Sequence, residues 1–233
     1  MSVYLFHGDR GGVGKTSTAA TFVEYLESRG ERVCVLDADT RNSELFAMFA
    51  PPLAQVVYLR EVEGWAEFAN ILNAREEPNV VVSLPANIGD EIAEQSEFLA
   101  EALAGMGRHL VLFWTMNRSP QSVALLRPTL ETIGRTATAT VAVRNLYFGD
   151  RDRFGRWNES KTRKDFIAAG GLEMDLPDLL DSVVDATILA NPTRRFVSLD
   201  GLSYAHRLVA KRWLGQCYAE YDRLAPKLGL GDR

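Results

Sequence analysis

The chain has 233 residues, of which 46% are hydrophobic and 24% charged, and a formal charge of −5. This is enough length and apolar content for one α/β domain with a large core. The acidic balance excludes a molecule that binds nucleic acid through its overall charge and leaves only a local basic patch open. Cys34 and Cys217 lie far apart, with neither C-x-x-C spacing nor a metal-ligand cluster. No apolar run reaches the roughly 18 residues of a membrane span. The first residues show no basic, apolar and small-residue leader pattern. The expected compartment is the cytoplasm, and no membrane contact is expected.

Val3–Phe6 is a short apolar run followed by glycines. Thr16–Arg29 has helical spacing through Ala19, Ala20, Val23 and Leu26, and Gly30 stops it. Arg32–Leu36 reads as the next strand and ends at Asp37-Ala38-Asp39. Residues 44–75 hold an apolar stretch, Leu45–Phe49, then Pro51-Pro52, which must end any helix, then a helical pattern over Glu63–Ala74. Val80–Val82 is a buried strand by composition, and Asp90–Met106 a helix. Leu110–Trp114 is a strand, Ser119–Ile133 a helix with Pro120 in its first turn, and Thr138–Val143 a strand ending at Arg144-Asn145. An irregular insert is expected near 149–165, and a terminal helix over Ser203–Leu224. Apolar strands alternating with helices must be covered on both faces. The expected fold class is therefore α/β: a three-layer α/β/α sandwich around a mostly parallel, doubly wound sheet, in one domain spanning 1–233.

The strongest signal is the stretch from Val3 through Gly8-Asp9-Arg10-Gly11-Gly12-Val13-Gly14-Lys15-Thr16. It has the order strand, glycine-rich turn, helix. Closely spaced glycines let backbone N–H groups converge on phosphate oxygens. The start of the helix adds unpaired N–H groups and a favourable dipole. Gly11, Gly12, Val13, Gly14, Lys15, Thr16 and the following Ser17 form the expected nucleotide-binding set. Lys15 would neutralise the β- and γ-phosphates of ATP, and the Thr16 hydroxyl would be a ligand of Mg²⁺. A glycine turn needed only for packing gives no reason for the lysine and threonine. The strict G-x-x-x-x-G-K-[ST] pattern fails at its first position, where Asp9 stands.

Arg10–Thr16 resembles the deviant Walker A motif of the ParA/MinD group of P-loop ATPases. These proteins partition plasmids and chromosomes or position division sites, with related members in conjugative and mobilisation systems. The family loop reads Lys-Gly-Gly-Val-Gly-Lys-Thr, and Arg10 stands at its signature lysine, which reaches the partner's nucleotide in an ATP-sandwiched dimer. Arginine keeps the charge with a longer, planar fork. It can contact phosphate in trans as a catalytic group, or pair with Asp9 or another carboxylate.

Val33–Asp39 resembles the family strand ending in Asp-x-Asp-Pro-Gln-Gly. On that match Asp37 helps organise Mg²⁺ and its waters, and Asp39 orients or activates the attacking water. Thr40-Arg41-Asn42 replaces Pro-Gln-Gly. Val80–Ala86 resembles the strand that normally ends in Asp-x-Pro, but Ser83 replaces the acid. Asn145 resembles the family asparagine that contacts the base, and Leu176-Pro177 the loop that completes that pocket. Within 151–166, six Arg/Lys face three Asp/Glu with aromatics between them. That segment is either a solvated lid or a patch able to touch DNA or an acidic partner.

The resemblance implies an ATP-binding, weakly hydrolysing switch that is a homodimer in its ATP state and answers to a partner or activator protein. Its expected field is DNA partition, conjugative mobilisation or protein positioning. The alternative is a nucleotide-dependent scaffold with little or no ATPase activity, motivated by Ser83. A small-molecule kinase lacks an evident acceptor cluster, and the cysteine positions do not suit an iron–sulfur member.

Overall fold

The structure is a computed structural model that describes residues 1–8, 10–191, 193 and 195–231. Among these residues seven strands form one sheet: β1 (Ser2–His7), β2 (Val33–Asp37), β3 (Ala54–Val56), β4 (Asn79–Ser83), β5 (His109–Met116), β6 (Ala137–Asn145) and β7 (Leu172–Leu176). Their order is β3-β2-β4-β1-β5-β6-β7. Each pairing among them is parallel. The chain winds to one side of β1 as far as β3, returns through β4, then builds the other side from β5. This reversal leaves a crevice at the carboxyl end of the central strands, where ligands of doubly wound folds bind.

Among the described residues ten α-helices cover the sheet: α1 (Lys15–Ser28), α2 (Glu44–Phe49), α3 (Val62–Ala74), α4 (Gly89–Met106), α5 (Pro120–Ala124), α6 (Leu126–Glu131), α7 (Gly155–Asn158), α8 (Lys161–Ala168), α9 (Asp181–Ala190) and α10 (Tyr204–Leu224). Alternate side chains of a strand point to opposite faces. Tyr4 and Phe6 therefore enter one core with Phe22 and Leu26 of α1, Leu45 of α2, and Trp213 and Tyr221 of α10. Val3 and Leu5 enter the other core with Trp65 and Phe68 of α3 and Leu99 and Leu103 of α4. The three-layer α/β/α fold expected from the sequence is the fold observed.

Four segments differ in detail from the sequence reading. The helix expected over 119–133 is split into α5, α6 and a 3-10 turn, Ile133–Arg135. Pro128 has no N–H to give the Ala124 carbonyl and its ring crowds that group, so the helix breaks between them. The stretch near 149–165 is not irregular. It folds as a 3-10 turn, Arg151–Arg153, followed by α7 and the start of α8. Strand β3 and helix α9 were not anticipated. No helix among the described residues is long and apolar enough to cross a membrane.

The insert is held by ion pairs. Arg144 of β6 is buried and reaches Asp175 of β7 at 2.6 Å and Glu173 at 3.4 Å. Arg151 pairs with Asp175, and Arg163 with Glu173 at 2.8 Å. Trp157 Nε1 donates to Glu173 at 2.7 Å. Two of the six basic residues counted in the sequence are thus paired with acids of β7, and Lys161 pairs with Asp165 at 2.6 Å. Arg153, Arg156 and Lys164 remain as the charge of that patch.

Candidate nucleotide site

The glycine-rich turn runs from the end of β1 into α1. Gly12 and Gly14 have φ of +74° and +99°, a region that costs other residues a steric clash. A Cβ on Gly14 would lie 2.3 Å from Asn145 Nδ2. The reason is a direct tie across the sheet: Asn145 Nδ2 donates to the Val13 carbonyl at 2.9 Å, and its Oδ1 accepts the Tyr147 N–H at 3.1 Å. Asn145 therefore holds the phosphate loop against the end of β6. Val13 buries its side chain, while Arg10, Gly11 and Gly12 are exposed. Lys15 is buried, and its Nζ donates to the Arg10 carbonyl at 2.9 Å. Asp9, the other partner weighed for Arg10, lies outside the described residues.

A cleft of about 520 Å³ opens over this loop. Its phosphate-loop end is lined by Gly11, Gly12, Gly14, Lys15, Thr16 and Ser17, joined by Asp39 from the end of β2 and Ser83 from the end of β4. Its other walls are lined by Asn145, Tyr147, the Leu176–Leu179 loop, Phe196 and Trp213. The structure thus brings the loop residues, Asp39 and Asn145 to one cleft. Phe196 and Trp213 carry no local motif, and the sequence reading missed them as cleft residues.

Asp37 and Asp39 play unlike parts. Asp37 is buried, and its carboxylate accepts the N–H groups of Asp39 and Phe46, each at 3.0 Å. It braces the loop from β2 into α2. Burial pushes its carboxyl up to about 6, and the two N–H groups offset part of that rise. Asp39 is half-buried, lines the cleft, and accepts the Asn42 N–H at 3.2 Å. Ser83 is buried beside both strands, with Phe6 and Asp37 as its register neighbours. The ring of His7, which ends β1, is buried edge-on to Trp114 and is held neutral, at about 3, by burial and then by Lys15.

The sequence model of the CobQ/CobB/MinD/ParA nucleotide binding domain matches residues 4–185. The chain belongs to this family. A curated relative, protein MobD of Acidithiobacillus ferrooxidans, is 30% identical over 213 residues, covering 91% of this chain and 92% of MobD. The MinC:MinD cell division protein complex of Aquifex aeolicus matches with a TM-score of 0.52 at 16% identity, over 92% of this chain and 96% of that one. A ParA family ATPase of Chlorobium tepidum TLS matches with a TM-score of 0.50 at 14% identity, over 93% and 97%. At such identities the structural matches speak for the fold. Membership of the CobQ/CobB/MinD/ParA family carries the capacity to bind nucleotide, and ATPase activity is typical of its ParA/MinD members.

Proposed function

We propose that the chain is an ATP-dependent dimeric switch with slow hydrolysis, serving DNA partition, conjugative mobilisation or protein positioning in the cytoplasm. The match to MobD favours mobilisation among these roles. The observation that carries the reading is the single cleft joining the loop Gly11–Ser17 to Asp39 and Ser83. In it the loop N–H groups and Lys15 bind the phosphates of ATP. Asp39 orients the attacking water. Arg10, exposed at the outer edge of the loop, faces the partner's nucleotide.

Thr16 would hold Mg²⁺, which supplies positive charge to the phosphates. Asp37, with both oxygens already accepting N–H groups, would act on its waters. Among the described residues no three His, Cys, Asp or Glu side chains gather to hold a metal. That suits an ion bound largely by phosphates and water. Ser83 supplies no negative charge, which is the reason to expect slow turnover and a requirement for an activator protein. The same serine favours the second reading, a nucleotide-dependent scaffold. Any DNA contact falls to Arg153, Arg156 and Lys164.

The test is steady-state Mg²⁺-ATP hydrolysis at several protein concentrations, with oligomeric state followed in ATP and in ADP. Dimerisation in ATP alone, with turnover lost in Arg10→Ala and Asp39→Ala, is the expected result. Tight ATP binding without turnover, indifferent to Asp39→Ala, sinks the catalytic reading and leaves the scaffold.

A further inference from the structure

The nucleotide's base needs a partner on the cleft walls outside the phosphate loop. Both ends of the Asn145 side chain are engaged within the protein, at the Val13 carbonyl and the Tyr147 N–H. The aromatic groups on these walls other than Tyr147 are Phe196 and Trp213, whose ring centroids lie 4.8 Å apart. Trp213 is fixed in α10 and donates Nε1 to the Pro177 carbonyl at 2.8 Å. Phe196 is half-buried and lies on the segment between α9 and α10.

That segment is fastened to the helix that carries the phosphate loop. Arg195 pairs with Glu27 of α1 and approaches Glu24 at 3.5 Å, and the Val197 N–H donates to Glu24 at 3.4 Å. The Arg195 guanidinium also stacks 4.8 Å from the Phe49 ring centroid. Asn191 Nδ2 donates to the Arg195 carbonyl at 3.1 Å. The residue before Phe196 is thus held from three sides, by α1, α2 and the end of α9, and this fixes where the ring stands. Yet Glu24 Oε2 and Arg195 Nε, both buried, lack hydrogen-bond partners. Such unmet groups cost stability in a clasp serving packing alone.

We propose that Phe196 forms the wall against which the nucleotide base packs, and that Arg195, clasped to Glu24 and Glu27, is the residue that positions it. The inference rests on the nucleotide-binding reading above. Aromatic faces accept a base through stacking regardless of its hydrogen-bonding edge. Phe196 therefore contributes affinity for the nucleoside half of the ligand and none for the phosphate half. Arg195 acts only through Phe196, so its loss shows the same division.

The experiment is calorimetric titration of the full chain with ATP, ADP and inorganic tripolyphosphate. Wild type is compared with Phe196→Ala, Phe196→Leu, Arg195→Ala and Arg195→Lys, each checked by thermal melting. Phe196→Ala is expected to weaken ATP and ADP alike by about tenfold and to leave tripolyphosphate unchanged. Phe196→Leu, which keeps the apolar volume, shows a smaller loss of the same kind. Arg195→Ala follows Phe196→Ala, and Arg195→Lys recovers part of the loss. Nucleotide affinity unchanged in Phe196→Ala overturns the proposal, as does a loss of tripolyphosphate in step with ATP. If wild type binds tripolyphosphate no more weakly than ATP, the base has no wall and the proposal falls alone. If wild type binds none of the three, the nucleotide-binding reading falls with it.

Discussion

At Gly14 the phosphate loop leaves no room for a side chain. A methyl group there would meet Asn145 Nδ2, and φ of +99° would strain any other residue. Gly14→Ala should cost about 1–3 kcal/mol from the backbone alone, seen in urea unfolding, and should lower ATP affinity by moving the loop. Part of the cost is steric and specific to Asn145. The Gly14→Ala penalty should therefore shrink in an Asn145→Ala background, the non-additivity expected of touching residues. Equal penalties in both backgrounds would show that Asn145 does not set the loop. Glu24 offers a second test at this scale. Burial pushes its carboxyl up to about 7, against the pull of the Val197 N–H and Arg195. The other titratable groups near it are Glu27 on α1 and Cys217, Tyr218 and Tyr221 on α10. A carboxyl raised on folding contributes stability that is full below its unfolded value and is lost as pH rises through its folded value. Wild type should thus lose melting temperature relative to Glu24→Gln between about pH 5 and pH 8. A difference that stays flat across that window would show that Glu24 titrates normally.

Among the elements, the insert following β6 is the least expected from its sequence and the most dependent on charge. Arg144 and Asp175 are both buried, and Asp175 also holds Arg151. Removing Asp175 leaves the buried Arg144 charge to the more distant Glu173, at 3.4 Å. Asp175→Ala should destabilise the chain by about 3–5 kcal/mol and open residues 146–160 to limited proteolysis. Chemical denaturation within about 1 kcal/mol of wild type would instead mean that solvent reaches Arg144. These pairs also explain what the sequence could and could not disclose. The six basic residues of 151–166 were visible, but not the acids 10 to 24 residues later that neutralise Arg151 and Arg163. The loop Gly11–Ser17 was legible because strand, turn and helix are contiguous there. The break in the helix after Ser119 was missed, although Pro128 removes an N–H and crowds the carbonyl four residues before it. Phe196 and Trp213 were not legible, because they join the cleft only after the chain has laid down all seven strands. The base contact expected of Asn145 came from the family resemblance. Its side chain serves the loop backbone in this structure, a role that the register of β6 on β5, and of β5 on β1, creates.

For the molecule as a whole, nucleotide should be part of the fold's stability. Anything that binds only the native state raises stability by about 2.7 kcal/mol at one hundred times its Kd. For a chain of 233 residues that corresponds to a melting shift of about 5–10 °C. ATP and ADP at matched saturation should give similar shifts if each binds one independent subunit, since the cleft at the end of β1 is complete within one chain. A switch closed by ATP behaves differently. A second subunit then counts as a further ligand of the native state, so the melting temperature in ATP must rise with protein concentration, while that in ADP stays constant. Arg10→Ala should abolish the concentration dependence and preserve the shift itself, because Arg10 stands exposed at the outer edge of the loop while the phosphates are held by Gly11–Ser17. Differential scanning calorimetry over a hundredfold range of protein concentration separates the cases. A melting temperature in ATP that ignores protein concentration would confine this family member to acting as a nucleotide-loaded monomer. Concentration dependence that survives Arg10→Ala would place the dimer contact elsewhere than at the phosphate loop.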